Sequence, residues 1–435
     1  MGDGSAAVVW FDAPGFRVLD VEVGEEVVVS IETVSARVGC PDCGVIGRAK
    51  DRRWVTLRDL PVGARPVTVR FHKRVLECRE ALCKRRTWTE QRPDLARPRA
   101  LLTERVGAWA TDRVAALEAT PASLARELGC TWGTVWSAVE RHGQARVDAA
   151  GRVGPVTQIG FDETVMSPAK RHRRRRFVTS AVDVTTGQII DIFDGRDAAD
   201  LRRWLASQPA AWVAGIDVVS VDPHEGYRSA INASGVVRDH VTVVVDPFHI
   251  VRLAGNAVTK CRQRVQQATL HHRGHKGDAL YGIRKLLLMG AERLDAAGWD
   301  RLHQALRDGD PDGEVQDAWV AREYVRDIYL TDDPDQAAAL VDRAIAWCTD
   351  PDAGPELRTL AKTLQRWRTE ILAHHTTGAS NGRVEAANLT IKQVKRAGRG
   401  YRSLHNYRLR ILLAAGRPRQ TSPVTRHRAR PRFIA

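Results

Sequence analysis

The sequence predicts a mixed α/β core that is interrupted by an all-α segment and preceded by a cysteine-containing module and a pair of helices. Between residues 156 and 245, three strand-like segments joined by hairpin turns are followed by helix, strand, helix and strand, which is the order of a mixed sheet. Residues 249–375 instead show helical periodicity. Four of the seven cysteines lie close together in sequence, ahead of both of these regions.

The overall charge indicates a polyanionic partner. The 435 residues include 67 Lys and Arg against 52 Asp and Glu, a formal net charge of +15, and such an excess favours binding to nucleic acid. The length corresponds to two or three folded units of roughly 150 residues each. No apolar run approaches the ~20 residues of a membrane span, and the first residues lack the features of a signal peptide. We therefore expect a cytoplasmic protein with reduced thiols.

The patterns divide the chain into segments, with a linker at 148–155. The expected segments are a β-rich stretch (1–38), a four-cysteine zinc-binding module (39–98), a helix-turn-helix DNA-binding domain (99–147), the first part of the α/β core (156–250), a helical insertion (251–375), the final part of the core (376–412) and a basic disordered tail (413–435). After Glu385 the sequence contains no acidic residue, and a second basic run at 171–176 interrupts a predicted hairpin.

The four clustered cysteines predict a zinc site. Cys40 and Cys43 form a C-x2-C pair, and Cys78 and Cys83 form a C-x4-C pair. Two such pairs can supply the four thiolates of a tetrahedral site, which suits Zn²⁺. The alternative is four buried cysteines without a metal, and it is less favoured because the remaining three cysteines are scattered along the chain.

Residues 121–143 show the spacing of a helix-turn-helix. Ala125 is small where two helices would cross, Gly129 can form the turn, and Val135 can anchor a second helix that starts at Thr131 or Trp132. The alternative is a plain helical hairpin whose core contains two tryptophans. If the segment binds DNA, the candidates for contact are Thr131, Trp132, Thr134 and Arg141.

Two acidic residues follow predicted strands of the core. Asp162 comes directly after the apolar strand 156–161, and Asp222 comes after the strand 216–221. If the first and fourth strands are neighbours, both carboxylates project from the same end of the sheet. Two such carboxylates repel each other unless a cation lies between them, and oxygen-rich clusters are the usual sites of Mg²⁺. Taken singly, each acid is also compatible with an ordinary strand-end charge.

A third acidic residue lies on a late helix that we expect to begin at Ser380 or Asn381. Glu385 and Asn388 are three residues apart and therefore share a helix face. Together with Asn388, the basic residues that follow are candidates for DNA contact, namely Lys392, Lys395, Arg396, Arg399 and Arg402. A single charged run of this kind is also compatible with a solvated helix face.

Several segments resemble the bacterial insertion-sequence transposases of the ISL3 family. They are GFDE at 160–163, DPFH at 246–249, NGRVEAAN at 381–388 and the basic KRAGRGYR at 395–402. The resemblance covers nearly the whole chain, because the order of the cysteine module, the helix pair, the core and the helical insertion also fits. It implies a DDE catalytic core with a ribonuclease H-like fold.

By this resemblance, Asp162, Asp222 and Glu385 are the catalytic residues and hold catalytic Mg²⁺ (or Mn²⁺), while the four cysteines hold structural Zn²⁺. Asp246 is the rival for the second position. We prefer Asp222, because the fourth strand should neighbour the first and Asp246 ends the fifth. Glu163 and His249 lie near these residues in sequence and are not assigned to the catalytic set. We expect Glu163 to face away from its neighbour on an extended chain, and His249 to be a structural or DNA-facing partner.

The implied activity is metal-dependent DNA cleavage and strand transfer by a nucleoid-associated protein of the bacterial cytoplasm. The implied partners are double-stranded DNA, as terminal inverted repeats and as target, and a second copy of the chain in a synaptic homodimer. One alternative is a sequence-specific DNA-binding regulator that derives from a transposase and lacks catalytic activity. Another is a metal-dependent nuclease that cleaves branched DNA and never joins strands.

Overall fold

The computed structural model describes residues 14–34, 37–169, 171, 174–232 and 241–416. The chain forms two compact units. Among the described residues, the first unit comprises those up to Arg152 together with Gln393–Ala415, and the second comprises those of Val153–Lys392 and Gly416. Within the described ranges, no helix has the length and apolar character needed to cross a membrane.

A five-stranded sheet opens the first unit. Its strands are β1 (Phe16–Val23), β2 (Val27–Thr33), β3 (Arg48–Val62), β4 (Arg65–Glu77) and β5 (Thr87–Thr89). The order is β1-β2-β4-β3, with β5 also paired to β4. Alternate residues of β2 and β4, among them Val29 and Val69, are fully buried and form the core of this sheet. The sheet therefore combines strands from both of the first two predicted segments.

Four helices complete the first unit: α1 (Glu104–Ala115), α2 (Pro121–Glu127), α3 (Trp132–Val147) and, from the C-terminal part, the helix Leu404–Ala415 (α15 below). Thr120 caps α2, and Thr131 caps α3 by accepting the N–H of Thr134. Between them Gly129 adopts a φ of +61°, which a glycine tolerates without strain. The predicted turn-linked pair of helices is thus present at the expected residues.

The second unit contains a mixed sheet with helices. Its strands are β6 (Gln158–Ser167), β7 (Arg176–Asp183), β8 (Ile189–Asp194), β9 (Val218–Val221) and β10 (Thr242–Val245), in the order β10-β9-β6-β7-β8. The hairpin strands β6, β7 and β8 pair antiparallel, whereas β9 pairs parallel to both β6 and β10. The prediction that the first and fourth strands of the core are neighbours is confirmed by the β6–β9 pairing.

The helices of the second unit fall into two groups. Three short helices lie between the strands: α4 (Ala198–Ala206), α5 (Ala210–Val213) and α6 (Glu225–Ile231). The remainder are α7 (Pro247–Leu270), α8 (Ala279–Gly282), α9 (Ala296–Gly309), α10 (Glu314–Ile328), α11 (Pro334–Cys348), α12 (Pro355–Arg366), α13 (Arg368–Thr377) and α14 (Gly382–Ala397), whose residues from Gln393 belong to the first unit. Helices α7 to α13 enclose a separate apolar core, as expected for a helical insertion.

One sequence prediction about the core strands is wrong. Asp162 was expected to end the first core strand, and this is wrong, because antiparallel pairing with β7 continues β6 to Ser167. Parallel pairing with β9 does stop at Gly160, so Asp162 lies just beyond the end of that ladder.

Two other predicted features lie partly outside the described residues. Of the basic run at 171–176, residues 172–173 are not described, and of the predicted disordered tail, residues 417–435 are not described.

Candidate active site and metal centres

Two neighbouring strands bring acidic side chains together in the second unit. Asp162 lies on β6 and Asp222 directly follows β9. One carboxylate oxygen each from Asp162, Glu163 and Asp222 lie within 4.8 Å of one another, and all three residues are half-buried. Oxygen atoms in this number and spacing suit a hard cation such as Mg²⁺.

The position of Glu163 differs from the sequence expectation. We expected it to face away from Asp162, yet its carboxylate joins the cluster, and Glu163 Oε2 also accepts a hydrogen bond from the Tyr227 hydroxyl at 3.1 Å. Strand alternation sets the direction of Cβ alone. The two methylene groups of a glutamate let its carboxylate approach the neighbouring residue, and sequence reasoning did not consider this freedom.

The electrostatics of the cluster favour a bound cation. Burial, together with repulsion from Asp222 and Glu163, raises the pKa of Asp162 to about 7. A carboxylate whose ionisation is opposed by neighbouring carboxylates is stabilised in its charged form when a cation lies among them. The donor set and the charge of the cluster therefore fit a divalent metal ion.

His249 lies between two aspartates. Its Nδ1 atom is 2.9 Å from Asp222 Oδ1 and 2.8 Å from Asp246 Oδ2. Burial opposes the charged ring, but the hydrogen bonds to both aspartates prevail and raise the pKa of His249 to about 9. Asp246, which is 3% exposed, also accepts the backbone N–H of Asn381 at 3.2 Å. The carboxylate of Asp246 is thus already engaged by protein donors.

Helix α14 approaches β6 closely at a glycine. A Cβ atom on Gly160 would lie 2.5 Å from Val384 Cγ2, so only glycine allows this packing. The approach brings Asn388 to the cluster, where its Nδ2 donates to Asp162 Oδ2 and its Oδ1 accepts from Thr164 at 3.4 Å. Asn388 was predicted to contact DNA, and the structure instead places it, 6% exposed, against Asp162.

Glu385 lies one turn before Asn388 and is half-buried. Burial and the negative charges of Asp246 and Asp222 raise its pKa. Its carboxylate is not among the three that lie within 4.8 Å of one another. The structure therefore brings Asp162 and Asp222 together directly and places Glu385 close enough to experience the charges of Asp222 and Asp246.

The four predicted cysteines converge in the first unit. The Sγ atoms of Cys40 and Cys83 are 3.9 Å apart, those of Cys43 and Cys78 are 3.5 Å apart, and all four lie within 4.8 Å. Sulfurs around a tetrahedral zinc are separated by about 3.8 Å. Burial opposes ionisation of Cys40, yet the N–H groups of Asp42 and Cys43 lower its pKa to about 7. The cluster fits a zinc ion.

The predicted DNA-contact residues have different surroundings. Trp132 is 50% exposed at the start of α3, next to the capping Thr131. Arg141 instead forms a two-pronged ion pair with Glu104, with N–O distances of 2.8 and 3.0 Å. Thr134 is half-buried. Of the predicted contact residues on and after α14, Lys392, Arg396, Arg399 and Arg402 are exposed, while Lys395 is half-buried.

Two protein-family models match segments of the chain. A DDE transposase model of the ISL3 type matches residues 159–411, and a model of the zinc-finger of the transposases of IS204, IS1001, IS1096 and IS1165 matches residues 36–83. The transposase for insertion sequence element IS1001 from Bordetella parapertussis is 25% identical over 95% of both chains. The transposase for insertion sequence element IS1557 from Mycobacterium tuberculosis is 26% identical over 64% of this chain and 63% of the relative.

Proposed function

Because the chain belongs to the ISL3 family of transposases, we propose that it cleaves the ends of an insertion sequence and joins them to target DNA. The observation that carries the proposal is the carboxylate cluster of Asp162, Glu163 and Asp222 on adjacent strands, which lies within the segment that the transposase model matches. We assign a ribonuclease H-like fold to this unit. The strand order β10-β9-β6-β7-β8, with an antiparallel hairpin side and a parallel side, supports that assignment.

We assign the catalytic roles to Asp162, Asp222 and Glu385. These residues would hold divalent metal ions, Mg²⁺ or Mn²⁺, which would activate the attacking oxygen and stabilise the leaving oxygen of an in-line displacement. Both aspartates lie within hydrogen-bond distance of His249. Asp222 is the better second ligand, because its carboxylate belongs to the cluster, whereas both oxygens of Asp246 have protein donors, Oδ2 from His249 and Oδ1 from the N–H of Asn381. Asn388 orients Asp162 through the hydrogen bond from its side-chain amide.

The reaction has two displacement steps at this site. Water attacks a phosphodiester at the element's end, the P–O bond to the 3′ oxygen breaks, and a 3′-hydroxyl is released. That hydroxyl then attacks a phosphodiester of the target, so one new P–O bond forms as one breaks. Neither step needs a covalent enzyme intermediate, and the carboxylates of Asp162 and Asp222 serve both.

DNA binding is assigned to the first unit and to the basic residues of α14 and the segment after it. The zinc module and the helices α2 and α3 would bind the terminal inverted repeats, with Thr131, Trp132 and Thr134 at the start of α3. Lys392, Lys395, Arg396, Arg399 and Arg402 would bind phosphates, which position the DNA without specifying its sequence. Two ends must be held together for joining, so we propose a homodimer in the synaptic complex.

The test is an in vitro reaction with Mg²⁺ and labelled DNA that carries both ends of the element. We expect wild-type protein to nick the ends and to join them to target DNA, and we expect both products to disappear when EDTA is added. Gel analysis of the labelled strands measures cleavage, and a recombinant product that contains target sequence measures joining. The matched control is DNA of the same length with scrambled ends.

Three other outcomes contradict parts of the proposal. Metal-independent binding of the ends without cleavage identifies a DNA-binding regulator, in which the acidic cluster is not catalytic. Cleavage without a joined product identifies a nuclease. Equal cleavage of scrambled DNA shows that the first unit does not recognise the element's ends.

A further inference from the structure

A cavity of about 510 Å³ lies within the first unit. Its walls come from α2 and its N-cap, from the first two turns of α3, and from the segment 397–410, which runs from the last residue of α14 into α15. Sites that enclose a whole small ligand have volumes of ~300–1,000 Å³. The cavity is therefore large enough for a ligand of several rings or groups and much larger than a single phosphate requires.

The charge around this cavity is positive. Four arginines are among its lining residues, Arg126, Arg399, Arg402 and Arg410, and the described lining includes no acidic residue. Within the described part of the chain, none of these four arginines forms an ion pair. A cavity with four uncompensated cations attracts an anionic ligand or one that is rich in hydrogen-bond acceptors.

Arg410 is the unusual member of this group. It is 3% exposed, and its Nε and Nη2 atoms have no hydrogen-bond partner in the described structure. Burial lowers its pKa, and the nearby Tyr401 offsets this only in part. An enclosed guanidinium without partners is unfavourable in free energy, and a ligand acceptor that bonds to it removes much of that cost. Arg410 can therefore donate hydrogen bonds to a ligand that is not part of the chain.

The cavity also contains a stacking surface. Trp132 is 50% exposed and stacks on the buried Trp136, with ring centroids 5.8 Å apart and an interplanar angle of 14°. Both rings line the cavity. Nucleobases stack on exposed aromatic rings regardless of their sequence, and arginines commonly complete such sites. Of the candidate anions, a nucleotide uses both the rings and the arginines.

We propose that this cavity binds one unpaired nucleotide of the DNA that the protein holds, with its base stacked on Trp132 and acceptor atoms bonded to Arg410. The proposal rests on the proposed function only in taking DNA as the ligand. A paired base cannot reach a ring inside a cavity, since it must first leave its stack, whereas a base that is already unpaired enters without that cost. The cavity therefore selects DNA that is bulged or single-stranded at one position.

The test compares two versions of one short fluorescent duplex, one fully paired and the other with a single extra thymidine. Binding of the full-length protein is measured by anisotropy without divalent metal, so no cleavage occurs. Stacking of one base contributes roughly 5- to 150-fold in affinity, and we expect wild-type protein to prefer the bulged duplex by about tenfold. Trp132→Ala should lose this preference. Trp347→Ala, which removes another partly exposed tryptophan from the helical insertion, should keep it.

Arg410→Met should also lose the preference, and thermal unfolding establishes whether this buried substitution still folds. If it does not, Trp132→Ala decides, because that side chain is half exposed. Equal affinity of the wild type for both duplexes, or a preference that survives Trp132→Ala, overturns the proposal. Because the assay needs neither cleavage nor the element's ends, a preference for the bulge supports the inference even if the reaction with Mg²⁺ fails.

Discussion

We expect Asp222→Asn to lower the rate of DNA cleavage by at least about a thousandfold, which corresponds to about 4 kcal/mol of lost stabilisation of charge in the transition state. The reason is the position of this carboxylate, which lies within 4.8 Å of those of Asp162 and Glu163. An asparagine at residue 222 keeps the size of the side chain but removes the negative charge that a divalent cation requires. Single-turnover cleavage of DNA carrying the element's ends, in Mg²⁺, measures the effect.

We expect a smaller loss from Asp246→Asn, about 10- to 100-fold, because this carboxylate would act through its neighbours. The amide oxygen can still accept the N–H of Asn381, while the charge that faces His249 is lost. Asp194→Asn is the matched control, because this carboxylate ends a strand of the same sheet and pairs with Arg176 at the surface. It should cleave at the wild-type rate.

The binding of DNA in the absence of metal separates catalysis from folding in these variants. All three should bind the element's ends as tightly as the wild type. If Asp246→Asn loses a thousandfold while Asp222→Asn retains most of its activity, the second catalytic acid is Asp246. The catalytic metal would then be held by Asp246 rather than by Asp222 of the carboxylate cluster.

The sheet of the second unit could be predicted from sequence because its strands are short, apolar and separated by clear turns. The order of strands left the adjacency of β6 and β9 as a condition, and the family resemblance made it an expectation. The structure has this pairing, and it brings Asp162 and Asp222 together. The contact between Asn388 and Asp162 could not be predicted in the same way. These residues are 226 positions apart, and they meet because α14 packs on the bare backbone of Gly160.

The first sheet shows a different limit of sequence reasoning. β3, at Arg48–Val62, is the longest strand of the described chain, yet its first seven residues are all exposed. A strand with both faces in solvent has no alternation of apolar and polar residues, and this alternation is the signal that sequence reasoning uses. The strand is fixed instead by its antiparallel pairing with β4, which has the buried apolar residues.

We expect Cys78→Ser to abolish stoichiometric zinc binding and to unfold the end of the first sheet. Cys78 directly follows β4, and its N–H donates to the carbonyl of Arg86, just before β5. Structural zinc in small modules contributes about 10–16 kcal/mol of binding free energy, which is folding free energy for the residues that hold it. With only three thiolates remaining, we expect most of this stabilisation to be lost.

Zinc content of the purified protein and protease cleavage within residues 37–90 measure the two parts of this prediction. Wild-type protein should contain one zinc per chain, and a strong chelator should make it as sensitive to protease as Cys78→Ser. Cys130→Ala, which removes a half-exposed thiol from the turn before α3, is the matched control and should keep its zinc. A Cys78→Ser protein with full zinc would show that the metal lies elsewhere. A wild-type protein that resists protease without zinc would show that buried thiols alone hold the module, because packing would then supply what we attribute to the metal.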